Sequence, residues 1–157
     1  MKIRVLFTGK TTEAWIRQGI DRYADRIRHY VGFELVEIPD LKQTASLTEE
    51  QVKMREGELI LKALRPSDHL VLLDERGARF SSVDWARNLE QKAAHLPKDC
   101  VFVVGGPYGF SPAVQERSNE RLSLSPMTFS HQLVRVVFLE QLYRAMTIMK
   151  GEPYHHE

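Results

Sequence analysis

Few side chains in this 157-residue sequence combine a reactive type with a telling position, and most of them fall in its last third. His131 opens a long apolar stretch just after the serine-rich loop 125–130, and the chain ends in Tyr154-His155-His156-Glu157. Arg144 follows Glu140 by one helical turn, a spacing that also suits an ordinary surface ion pair. Arg135 projects from an apolar arc beside Leu139, Leu142 and Met146. A guanidinium there needs a carboxylate, phosphate or carbonyl partner, as a structural tie or a ligand clamp, unless it snorkels to water from the first turn. Histidine is the side chain that moves a proton near neutrality, and arginine stabilises a developing anion. The set therefore suits proton transfer or anion stabilisation.

Other chemistries fail on spacing. Gly9-Lys10-Thr11 ends like a phosphate-binding loop, but Arg4 stands where that loop needs its first glycine. Gly105-Gly106-Pro107-Tyr108-Gly109 lacks the G-x-G-x-x-G order of a dinucleotide site. Two local readings of it stand: a tight turn needing positive φ, or close approach of backbone to a flat ligand. Ser111, Ser125 and Ser130 lack a nucleophile-elbow context, and no histidine–carboxylate spacing matches a metal motif. Cys100 is the only cysteine, so there is neither a disulfide framework nor a zinc cluster.

The elements that would position these groups alternate. Strands are expected at Lys2–Thr8, Phe33–Ile38, His69–Leu73 and Cys100–Val104, with a short one at Leu122–Leu124. Asp74–Gly77 reads as a polar loop. Helices are expected over Thr11–Tyr30, from a Thr48/Gln51 capping box to about Leu64, from Ser82 to about His95, and from Ser130 or His131 to Lys150. Continuously apolar strands alternating with helices indicate a mostly parallel α/β sheet covered on both faces, with ligands beyond the carboxyl ends of the strands. On the last helix Glu140, Gln141, Arg144 and Thr147 share one side, and apolar residues cover the rest. So wide an apolar arc is expected to meet more than one surface, the second being another subunit.

Composition, 43% hydrophobic and 27% charged, is that of a soluble globular chain, and residues 1–157 read as a single domain. No apolar run spans a membrane and no signal peptide is apparent, so no membrane partner and a cytoplasmic location are expected. Net charge is only +1, yet the first thirty residues hold Lys2, Arg4, Lys10, Arg17, Arg22, Arg26 and Arg28 against Glu13, Asp21 and Asp25. That local excess suits either phosphate contacts or a solvated helix face. His29, His69 and His95 lie at element ends, where solvation is expected.

Four segments, LLDERG (72–77), FVVGGPYGFS (102–111), LSLSPMTFSHQLVRVVFLEQLYRA (122–145) and the terminal PYHHE, together resemble one family across the whole chain. It is the family of small SPOUT-class methyltransferases that act on a pseudouridine in helix 69 of bacterial 23S ribosomal RNA. The resemblance implies an α/β sheet with a C-terminal trefoil knot and S-adenosyl-L-methionine as cofactor. It implies cofactor contacts from Leu73, from Gly105 and Gly106, and from Leu124, Ser125, Pro126, Met127, Thr128 and Phe129. It further implies a homodimer packed through the knot and last helix, a tail that completes the site with Tyr154 and His155, and Arg144 as a substrate-binding residue. The implied substrate is 23S rRNA in the assembled ribosome, methylated at N3 without a metal. His131 and His155 both remain candidates for the proton acceptor. A non-catalytic nucleotide-binding module on the ribosome and a SPOUT enzyme acting on transfer RNA are the alternative readings.

Overall fold

A computed structural model describes all residues, Met1–Glu157. Five strands, β1 (Lys2–Thr8), β2 (Gly32–Ile38), β3 (His69–Arg79), β4 (Cys100–Val104) and β5 (Glu120–Ser123), form one sheet in the order β2-β1-β4-β3-β5. Every pairing is parallel. The helices are α1 (Ala14–Ile27), α2 (Glu49–Lys62), α3 (Ser82–His95), α4 (Pro112–Arg117) and α5 (Leu133–Met149).

Strand periodicity divides the core. Ile3, Val5, Phe7, Val71, Phe102 and Val104 point to one face, where they pack with buried residues of α1, α3 and α5. Leu6, Leu70, Leu72, Val101 and Val103 point to the other, against Ile60 of α2 and Val114 of α4. Both faces are thus covered, as the apolar strands require. Helix α5 lies against both α1 and α3 and sends Phe138, Leu139, Leu142, Ala145 and Met146 into the larger cluster. The chain's own elements therefore cover much of the arc assigned above to a second subunit.

Several boundaries differ from expectation for local reasons. The Thr48 capping box forms as read, with Thr48 Oγ1 accepting from the Gln51 N–H at 3.1 Å and Gln51 Oε1 from the Thr48 N–H at 2.9 Å. Helix α3 is capped by Ser81, one residue earlier than expected, through its hydroxyl and the Asp84 N–H. Helix α4 was not anticipated, being too short to show a period; Ser111 caps it and Pro112 sits in its first turn. Helix α5 starts at Leu133, whose N–H donates to Ser130 Oγ, so His131 precedes the helix. Asp74–Gly77 is part of β3 and not a free loop, but it is a bulged part. Leu122 pairs with Leu73 on one side of the bulge and with Ala78 on the other.

Candidate active site

The carboxyl ends of β3, β4 and β5 open onto a cleft of about 530 Å³. The β3 bulge supplies Leu73, Asp74, Glu75 and Arg76; the segment after β4 supplies residues 105–110; the chain after β5 supplies Leu124, Ser125, Met127, Thr128, Phe129 and His131. Glu49, Glu50 and Lys53 at the start of α2 form a further wall. Of the cofactor residues expected from resemblance, only Pro126 does not line this cleft.

Each wall is fixed by its own bonds. Ser125 Oγ accepts from the Met127 N–H at 3.0 Å, Ser123 Oγ donates to the Ser125 carbonyl at 3.0 Å, and Thr128 Oγ1 donates to Glu75 at 3.3 Å. Burial raises the Asp74 pKa, but bonds from the Arg76 N–H and guanidinium outweigh it and hold the group below the usual aspartate range. The two readings of the glycine loop fall on different residues. Gly109 has φ +82° and closes a turn, its N–H donating to the Gly106 carbonyl at 3.2 Å. Gly105 and Gly106 lack positive φ, and the protein itself makes the close approach. A Cβ on Gly105 would meet the Phe110 ring at 3.0 Å, and one on Gly106 the Glu56 carboxyl oxygens at 2.7 and 2.8 Å. Burial, then the charge of Asp40, pushes the Glu56 pKa up, and Glu56 Oε1 is buried with no hydrogen-bond partner.

Arg135 is fully buried and its role is structural. Its guanidinium donates to the carbonyls of Thr8, Gly9 and His131 at 2.9, 2.9 and 3.1 Å and to Thr11 Oγ1 at 3.0 Å, with Glu37 at 3.5 Å. It thereby ties the end of β1 to the entry of α5 and sets His131 beside the cleft. Gln132 repeats the tie, accepting from the Thr12 N–H and donating to the Lys10 carbonyl. Burial, then the positive charge of Arg135, lowers the His131 pKa below its ordinary 6.5, so its imidazole is neutral at pH 7.

Arg144, Tyr154 and His155 form a second cluster around the C-terminal half of α5. Glu140 Oε1 accepts from the Arg144 guanidinium at 2.5 Å and from the Tyr154 hydroxyl at 3.1 Å. Arg144 also stacks 4.8 Å from the Tyr154 ring centre and donates to His155 Nδ1 at 3.2 Å. Arginine only donates, so Nδ1 is the acceptor and His155 carries its proton on Nε2. Burial, followed by bonds including that to Glu140, raises the Tyr154 pKa, so its phenol stays protonated. None of these three residues lines the cleft. Eleven positions of α5 separate Leu133, just past His131, from Arg144, about 16 Å of helical rise, so one chain does not unite the two groups.

The structure also narrows the reading of the basic N-terminus. Lys2, Arg4, Arg17 and Arg28 are paired with Glu34, Asp68, Glu37 and Asp25, and Lys10, Arg22 and Arg26 make no ion pair. His69 is not simply solvated, for it bonds Glu120, which also pairs with Lys92 at 3.0 Å. Sequence reasoning missed Glu56 and the bridging part of Glu140. A glutamate in a glutamate-rich helix carries no local signal, and Glu140 reads as an ordinary i,i+4 partner. No group of three His, Cys, Asp or Glu side chains is arranged to hold a metal ion, and no helix is long and apolar enough to cross a membrane.

A family model described as predicted SPOUT methyltransferase matches residues 1–155. The chain is 54% identical over 157 residues to a protein of Parabacteroides distasonis named ribosomal RNA large subunit methyltransferase H, covering 100% of both chains. It is 53% identical over 157 residues to the protein of that name from Porphyromonas gingivalis, again over 100% of both. Identity to its namesake in Christiangramia forsetii is 50% over 156 residues, 99% of each chain.

Proposed function

The chain belongs to the SPOUT methyltransferase family, and from that premise we propose that it methylates N3 of a pseudouridine in helix 69 of 23S ribosomal RNA. We read residues 1–157 as one catalytic domain that acts in the cytoplasm, as a homodimer, on assembled ribosomes. The observation that carries this reading is the convergence of the β3, β4 and β5 carboxyl ends on one cleft, in a chain whose full-length relatives are named as rRNA methyltransferases.

The residues present suit S-adenosylmethionine. Leu73, Val104, Leu122 and Leu124 offer an apolar slot for an adenine, and the Gly105–Gly109 segment offers backbone groups at its edge. Asp74 and Glu75 put carboxylates at the rim, suited to hydroxyls or to a cation. When bound, the cofactor supplies an electrophilic methyl group. A trefoil knot is the reading we favour for the return of residues 124–132 from the sheet edge to the buried helix α5.

The remaining work falls to the protein. The reacting nitrogen must lose its proton, and the anion that develops needs a nearby cation. Arg144, aimed by Glu140 and Tyr154, suits the role of that cation or of a substrate clamp. His131 is neutral and borders the cleft, which favours it as proton acceptor. His155 already accepts from Arg144 at Nδ1 and takes a proton there only if that bond opens. Because the cleft and the tail cluster are far apart in one chain, we propose that the tail of one protomer completes the cleft of its partner.

The test is methyl transfer from labelled S-adenosylmethionine to ribosomes that lack the modification, with mass spectrometry of the helix 69 nucleotide. Methyl on N3 of the pseudouridine supports the proposal. An active enzyme that methylates another nucleotide, or transfer RNA, overturns the assigned target.

A further inference from the structure

Four tyrosines meet where the end of α1 passes the tail cluster. Tyr143 lies 6.0 Å from Tyr23, 6.1 Å from Tyr30 and 4.7 Å from Tyr154, centre to centre. The charged groups among them are largely spoken for: Arg144 bonds Glu140, and the Tyr30 hydroxyl donates to Glu152 at 2.6 Å. Arg26 is different. It is exposed, makes no ion pair, and rests its guanidinium 5.6 Å from the Tyr23 ring centre and 5.4 Å from that of Tyr143.

The end of a helix favours a cation through its dipole, which accounts for a positive charge at this position but equally for a lysine. Two aromatic supports ask for more. They hold a planar, weakly hydrated fork in one place and leave its donors free for a ligand. Arg22 lies one turn earlier on the same face, also without a carboxylate, and like charges at that spacing repel unless an anion lies between them. Neighbouring Arg17 and Arg28 are neutralised by Glu37 and Asp25, so within α1 and its C-terminal end the free charge is that of Arg22 and Arg26. A doubly ligated phosphate oxygen pair suits such a fork.

We propose that Arg26 is a backbone-phosphate clamp for the RNA substrate, seated on Tyr23 and Tyr143 beside the Arg144 cluster. This rests on the rRNA methyltransferase reading above. The clamp holds the strand flanking the target nucleotide and touches neither the reacting base nor the cofactor cleft.

The experiment compares wild type, Arg26→Gln, Arg26→Lys and the distant control Lys98→Gln on unmodified ribosomes. It measures kcat and KM, ribosome affinity across a salt series, S-adenosylmethionine affinity by calorimetry, and thermal midpoint. For Arg26→Gln we expect KM to rise about tenfold and the log–log salt slope of ribosome affinity to fall by about 1. Its kcat, cofactor affinity and thermal midpoint should match wild type. Arg26→Lys should keep the slope and show a smaller rise in KM, and Lys98→Gln should change nothing. An unchanged KM and slope for Arg26→Gln overturns the clamp, as does a fall in kcat alone, which would mark Arg26 as a support for the tail. Failure of wild type to methylate ribosomes overturns the functional reading instead, and the two failures are separable.

Discussion

Glu56 stands behind Gly106, the cleft-lining glycine whose missing side chain makes room for it. Its pKa is raised in the folded protein, so its contribution to stability is complete below the ordinary value of 4.5 and is lost as pH rises through the folded value. Glu56→Gln keeps the shape and removes the charge. Its thermal midpoint should exceed that of wild type at about pH 8, with the gap closing as pH falls below the ordinary value of 4.5; equal midpoints throughout would show that the carboxyl is not penalised. His131 carries the opposite shift. A lowered pKa keeps it able to accept a proton down to pH values under 6.5, so kcat/KM should fall on acidification only below that value. His131→Asn should lower kcat by about a hundredfold and abolish that limb of the profile, whereas an unaltered limb would move the role to another group. The candidate residues themselves were visible in the sequence through type and position. What could not be seen was their company: a buried partnerless carboxyl, or a guanidinium shared among three carbonyls, is a property of packing.

At the scale of the elements, legibility followed how locally each one is encoded. Helix α2 is announced by Thr48 and Gln51, and β4 by its unbroken apolar run, so both stand where sequence put them. The far half of β3 is encoded elsewhere. Asp74–Gly77 has a loop's composition and is held in the strand only because β5 pairs on either side of it, with Leu73 and Ala78, and the bulge between those pairs turns its polar groups into the cleft. Gly77 is the tightest point of that seam. A Cβ there would lie 2.6–2.8 Å from backbone atoms of Arg121 and Leu122, which cannot swing aside as a side chain could. Gly77→Ala should therefore cost about 1–3 kcal/mol in urea denaturation and weaken cofactor binding as well. Destabilisation with unaltered cofactor affinity would show that the seam does not shape the cleft.

For the whole molecule, the distance between cleft and tail makes a prediction about stoichiometry. A variant with a damaged cleft (Gly106→Trp) and one with a damaged tail (Arg144→Gln) should each be inactive. Refolded together as an equal mixture they should recover about a quarter of wild-type activity, since half the dimers are mixed and each mixed dimer owns one intact site. No recovery, with mixed dimers demonstrated by mass, would place both halves in one protomer. The Arg135 tie carries a consequence of another kind. It joins residues 126 and 127 positions apart, and it does so through a helix that also fills the centre of the larger core. During synthesis β1 and α1 emerge first and must wait, with one apolar face bare, until α5 has left the exit tunnel. Until then the nascent chain is exposed to chaperones and proteases.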